Sequence, residues 1–317
     1  MTRVAAIDCG TNSIRLLITD LEDGQAPSEV LRRMEIVRLG AGVDRTGELA
    51  PEAIERTRVA LAAYATHISD LGAERVRMVA TSATRDARNR ADFEAMVTDL
   101  LGQPAEVITG AEEAALSFAG ATVDLSTVAP PPLAPYLVVD IGGGSTEFVL
   151  GTSGAVTAAL SVDIGCVRLT ERHLATDPAT PDEIGAAEAD IRVALRSVAE
   201  SVQVDQPLTL IGLAGSVTTV AAVALGLPAY DPSAIHHSRI PVGDVRSTTA
   251  GLLTMSRAQR AALPTMHPGR VDVIGAGALI LRVIMDAWEI DGLLVSEHDI
   301  LDGIAASLAD PRPAVPD

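Results

Sequence analysis

Short apolar runs that end in Asp, Gly or Pro alternate along this chain with longer stretches whose apolar residues recur every three or four positions. Runs of the first kind predict strands over residues 4–8, 14–20, 29–38, 75–80, 105–109, 208–213 and 292–296. Stretches of the second kind predict helices over 51–71, 86–101, 111–121, 181–202, 271–288 and 298–308, with Pro51 and Pro181 placed where a first helical turn tolerates proline. Regular alternation of strand and helix predicts an α/β fold. Between residues 127 and 135 lie Pro130, Pro131, Pro132 and Pro135, which disfavour helix and give a sheet no N–H. A domain boundary is therefore expected there, with one domain over 1–126 and a second over 127–317, and with the final helix packing back on the first domain.

The pattern also repeats itself. Val4-Ala-Ala-Ile-Asp8-Cys-Gly10-Thr11-Asn12-Ser13 leads into the apolar run Ile14–Ile18, and Leu137-Val-Val-Asp140-Ile-Gly142-Gly143-Gly144-Ser145-Thr146-Glu147 leads into Phe148–Leu150. Each copy is an apolar strand ending in Asp, a Gly/Ser/Thr turn and a second apolar strand, offset by 132 residues from Asp8 to Asp140. A duplicated hairpin whose turn grips an anion accounts for this echo.

Composition narrows the field. The 317 residues suffice for two cores, and with 48% hydrophobic but only 2% aromatic residues those cores must be built from Ala, Val, Leu and Ile. No run approaches the ~20 apolar residues of a membrane span, the N-terminus lacks a signal peptide's pattern, and two cysteines are too few for a disulfide framework. A cytoplasmic protein without a membrane partner is expected. A net charge of −18 argues against DNA as a partner. It does not exclude a phosphorylated substrate, because distant charges are screened over ~8 Å at physiological salt. All 24 basic side chains are arginine, the better residue for bidentate phosphate contacts.

Several segments carry candidate chemistry. The Gly10–Ser13 turn reads either as an anion nest, with Asp8 beside it for a metal, or as an ordinary hairpin turn. The Gly142–Thr146 turn is bracketed by Asp140 and Glu147, a pair suited to magnesium, and its three glycines invite close approach of a phosphate. Gly215 and Ser216 open an apolar helix after a strand and read equally as phosphate donors or as a helix start with Ser216 as cap. Glu112 and Glu113 sit in a predicted first helical turn, where the dipole alone would favour them. The segment with Arg85, Arg88 and Arg90 reads either as a phosphate clamp, favoured for Arg85 alone, or as a solvated helix start with surface ion pairs. The six histidines show no metal spacing, and His236 and His237 cannot share a helix face.

Taken together, Asp8-x-Gly-Thr-Asn-Ser13, Arg38-Leu-Gly, Ala80-Thr-Ser-Ala-x-Arg85, Gly110-x-Glu-Glu-Ala114, Asp140-x-Gly-Gly-Gly-Ser-Thr-Glu147, Gly165-Cys166, Arg270-x-Asp272 and Val295-Ser296 resemble the exopolyphosphatase/guanosine pentaphosphate phosphatase (Ppx/GppA) family in its short, two-domain form. The resemblance implies two ribonuclease H-like domains of the actin/Hsp70/acetate-kinase type with an active-site cleft between them. It implies Glu113 as catalytic base and Asp8, Asp140 and Glu147 toward a metal. Gly10, Thr11, Asn12, Ser13, Arg85, Gly142, Gly143, Gly144, Ser145, Thr146, Gly215 and Ser216 would hold phosphate. Magnesium is the expected cofactor, with manganese or a monovalent cation as further candidates. The expected substrate is inorganic polyphosphate or guanosine pentaphosphate, and the expected assembly is a homodimer. A sugar or acid kinase of the same fold and a non-catalytic alarmone-binding regulator are the rival readings.

Overall fold

In the computed structural model, which describes residues 1–22, 27–152, 155–204 and 208–309, the first apolar run becomes β1 (Thr2–Cys9), followed by β2 (Ser13–Leu21) and β3 (Ser28–Ile36). Strand β4 (Arg75–Ala80) and the two-residue β5 (Glu106–Val107) complete a sheet of order β3-β2-β1-β4-β5. The first three strands form an antiparallel meander, and β4 then joins β1 in parallel after a crossover through the helix Pro51–Asp70. That helix buries Ala53, Ala60, Leu61, Tyr64 and Ile68 in the same core as Ile7, Ile14, Leu16 and Ile18 from the sheet, and Tyr64 donates its hydroxyl to the Ile14 carbonyl.

The same order returns later. Strands β6 (Tyr136–Ile141), β7 (Thr146–Thr152) and β8 (Ala155–Val162) form a second antiparallel meander, and β9 (Thr209–Leu213), β10 (Arg239–Pro241) and β11 (Gly292–Val295) extend it to β10-β11-β9-β6-β7-β8. Again the first strand of the meander pairs in parallel with the strand that follows a helical crossover. Both sheets thus carry the ribonuclease H-like plan that the family resemblance implies, and the fold is of the actin/Hsp70/acetate-kinase type.

The chain divides into one unit of Met1–Thr109 with the segment beginning at Ile300, and a second unit of Gly110–Asp299. The first boundary therefore falls after residue 109 instead of in the proline-rich stretch at 127. The reason is packing: the helix Gly110–Thr122 buries Ala114, Phe118 and Ala121 against Val138, Val149 and Ile211 of the second sheet. The closing helix Ile300–Ser307 packs on β1 and β2. Its Asp302 pairs with Arg32 of β3 at 2.6 Å.

Sheet parity then places the chemistry. On one face of the second sheet Ile211, Val138, Val149 and Ala159 form a cross-strand row under the helix Gly110–Thr122. Two residues along each strand, and so on the same face, the next row reads Leu213, Asp140, Glu147 and Ser161. The sheet therefore ends its apolar contact with that helix in a line of polar side chains.

Candidate active site

Three carboxylates gather at the end of this row. Asp140 and Glu147 stand directly opposite one another across β6 and β7, and Glu113 comes from the first turn of the overlying helix. All three are buried, Glu147 to 1% exposure and the other two to 7%. Burial foremost, then the charges of Glu113 and Asp140, push the Glu147 carboxyl well above its ordinary range. Packing three acids out of water is costly unless a counter-charge answers them. An all-oxygen donor set of this kind fits a hard divalent cation such as Mg²⁺ or Mn²⁺.

Beside them, the turn from Gly142 to Ser145 is fixed by its own framework. Gly142 donates its N–H to the Ser145 carbonyl at 3.0 Å. The Gly142 and Gly143 carbonyls accept from Cys166, Val167 and Arg168 at the start of the helix Cys166–His173, and Arg168 Nε donates to the Gly144 carbonyl at 2.8 Å. With these carbonyls held on one side, no acceptor among the described residues takes the N–H of Gly143 or Gly144. Gly165 makes this approach possible, because a Cβ there would lie 2.4 Å from the Gly143 backbone. Two hydroxyls predicted as phosphate donors are committed elsewhere: Thr146 donates to the Ile164 carbonyl and Ser145 bonds Glu147. The turn offers amides, and its hydroxyls hold the frame.

The first hairpin repeats the geometry with another charge. Gly10 donates to the Ser13 carbonyl at 3.0 Å, as Gly142 does to Ser145. Opposite Asp8, however, stands Arg15, whose guanidinium reaches Asp8 Oδ2 at 2.6 and 3.0 Å. Asp8 is thus paired with a cation of the protein itself. Thr11 exchanges a hydrogen bond with Ser82 at 2.9 Å, and Asn12 Oδ1 is buried without a partner among the described residues. Arg85, on the short helix Ser82–Asp86, donates to the Ile108 carbonyl at 2.9 Å. Arg88 lies on the surface beside Glu48.

Gly215 and Ser216 open the helix Ala214–Ala224. A Cβ at Gly215 would lie 2.3 Å from the Arg270 guanidinium, so that glycine admits an arginine. Ser216 is corrected in its role as helix cap. Its side chain does not cap the helix, and its hydroxyl is packed against Gly277 and bonded to Cys166.

A second polar cluster escaped the sequence. His236 Nε2 and His237 Nε2 lie 2.8 and 3.3 Å from the two oxygens of Asp124, and the imidazoles stack at 3.7 Å. Burial would raise the Asp124 carboxyl, but hydrogen bonds from His236 and His298 outweigh it and hold the group well below the usual range. The three side chains are near enough to share a metal ion. Yet the Glu297 N–H donates to His236 Nδ1 at 3.1 Å. The proton of the neutral ring then sits on Nε2, pointing at Asp124, where a metal would need a lone pair. Spacing could not reveal this cluster, since Asp124 joins from 112 residues away.

Comparison with known proteins places these features in a family. The Ppx/GppA phosphatase family model matches residues 17–311. The chain belongs to this family. It is accordingly a hydrolase acting on phosphoric anhydrides. The chain is 54% identical to exopolyphosphatase 2 of Mycobacterium tuberculosis strain H37Rv, over 98% of this chain and 99% of the relative. Among solved structures, an exopolyphosphatase-like protein matches with TM-score 0.91 at 42% identity, over 97% of this chain and 99% of that one. The Aquifex aeolicus PPX-GPPA enzyme matches with TM-score 0.80 at 33% identity, covering 96% and 99%. Among the described residues no helix is long and apolar enough to cross a membrane.

Proposed function

We propose that this protein is an exopolyphosphatase, removing the terminal phosphate of inorganic polyphosphate by attack of water. The observation that carries the reading is the buried trio Glu113, Asp140 and Glu147 beside a turn whose Gly143 and Gly144 amides meet no acceptor among the described residues. Such amides take phosphoryl oxygens and need no reorganisation as charge develops. Asp140 and Glu147 would hold Mg²⁺, which when bound neutralises phosphate oxygens and eases departure of the leaving group. Glu113 orients a water and accepts its proton. The water oxygen bonds to the terminal phosphorus, the bridging P–O bond breaks, and the shortened chain leaves with the electron pair. General-base assistance of this kind is typically worth about 10²–10⁴-fold.

Phosphate release from long-chain polyphosphate, guanosine pentaphosphate and ATP, measured side by side with and without Mg²⁺, tests the assignment. Release from polyphosphate that requires the metal is expected. Preference for guanosine pentaphosphate would move the substrate to the nucleotide. Phosphate transfer from ATP to an added acceptor would mark a kinase, and binding without turnover would mark a regulator.

A further inference from the structure

Each of the two carboxylates assigned to the metal is touched by a serine that is itself no ligand in that reading. Ser117 Oγ donates to Asp140 Oδ2 at 2.7 Å, and Ser161 Oγ donates to Glu147 Oε1 at 2.7 Å. Both are short, charge-assisted contacts, the stronger kind of hydrogen bond. Each serine engages one carboxylate oxygen and thereby fixes the plane in which the other lies.

The two serines also register the helix that carries Glu113. Ser117 lies four residues beyond Glu113, on the same helix face, and is fully buried. At the other end, the helix begins at Gly110, where a Cβ would stand 2.6 Å from Ser161 Cβ. Glu113 therefore sits between two serine contacts, one from the helix down to Asp140 and one where the helix start rests on β8. A shift of that helix would move Glu113 and turn Asp140 together.

We infer that Ser117 and Ser161 are positioning residues that orient Asp140 and Glu147 toward the divalent cation and couple that orientation to Glu113, an inference that rests on the metal reading given under the proposed function. Partners of metal ligands commonly change metal affinity by about 10–100-fold when removed. Mn²⁺ serves as the probe, titrated into the full-length chain and followed by electron paramagnetic resonance, with Ser117→Ala, Ser117→Cys and Ser161→Ala compared with wild type. The cysteine keeps most of the buried volume but is a weak donor, so it reports on orientation even where alanine fails to fold. Each folded variant is expected to bind Mn²⁺ about tenfold more weakly, to melt within about 2 °C of wild type without metal, and to regain turnover as Mg²⁺ is raised. Serine variants that bind within twofold of a binding wild type would overturn the inference and leave the proposed function standing. A wild type whose Mn²⁺ affinity matches that of Glu147→Gln would sink the metal reading itself, and this inference with it.

Discussion

The β1–β2 and β6–β7 hairpins share a backbone and differ in one charge. Both run from a strand with Asp as its next-to-last residue through a four-residue turn, and both close that turn with the same N–H to carbonyl bond. Seven residues after the aspartate the first hairpin has Arg15 and the second has Glu147, each directly across the ladder from its aspartate. In the first copy the protein supplies the cation and the result is an ion pair. In the second the residue across the ladder is another acid. Duplicated scaffolds thus separate two roles: one hairpin pairs its aspartate with an arginine, whereas the other sets it opposite a second acid, the pair to which the proposed function gives a divalent ion.

Making the second hairpin like the first is the harshest test. Glu147→Arg would pair with Asp140 as Arg15 pairs with Asp8, and turnover should fall by at least about a thousandfold in a phosphate-release assay with Mg²⁺. Activity within tenfold of wild type would break the comparison. Next, Gly165→Ala would place a Cβ against the Gly143 backbone and displace the turn that presents the amides. A drop in kcat on the order of a hundredfold, with the fold intact by circular dichroism, is expected.

Making the first hairpin like the second acts on stability. Arg15→Glu leaves Asp8 buried beside a like charge, which should cost about 3 kcal/mol in urea unfolding. The smallest effect concerns pH. Glu147 titrates above its ordinary 4.5 in the folded chain, so the folded state keeps a proton that the unfolded chain releases. In metal-free protein this stability is complete below about pH 4.5 and is lost as pH rises through the higher folded value. The melting temperature should fall by a few degrees across that interval. Saturating Mg²⁺ or Glu147→Gln should flatten the slope.

Much of this was legible in the sequence, and the failures have physical causes. Strand ends and glycine turns are local, so the hairpin echo and β4 were read directly, and the Arg15/Glu147 contrast follows from the offset of 132 once the hairpins are aligned. The unit boundary was misplaced because prolines mark a loop but do not say which sheet the preceding helix covers, and Phe118 shows that only by packing. The helix predicted over 86–101 begins only at Arg90, after a separate short helix Ser82–Asp86, since helical spacing does not register a break at Ala87, which is extended. Hydroxyl partners are beyond reach: nothing local says that Thr146 turns to Ile164 or that Ser216 turns to Cys166.

In the proposed mechanism Glu113 readies the attacking water beside the carboxylate pair. Steady-state phosphate release from polyphosphate by Glu113→Gln, at saturating Mg²⁺, tests it most directly. A kcat at least about a hundredfold below wild type, with an unchanged melting temperature, is expected. Turnover within a few-fold of wild type would contradict it.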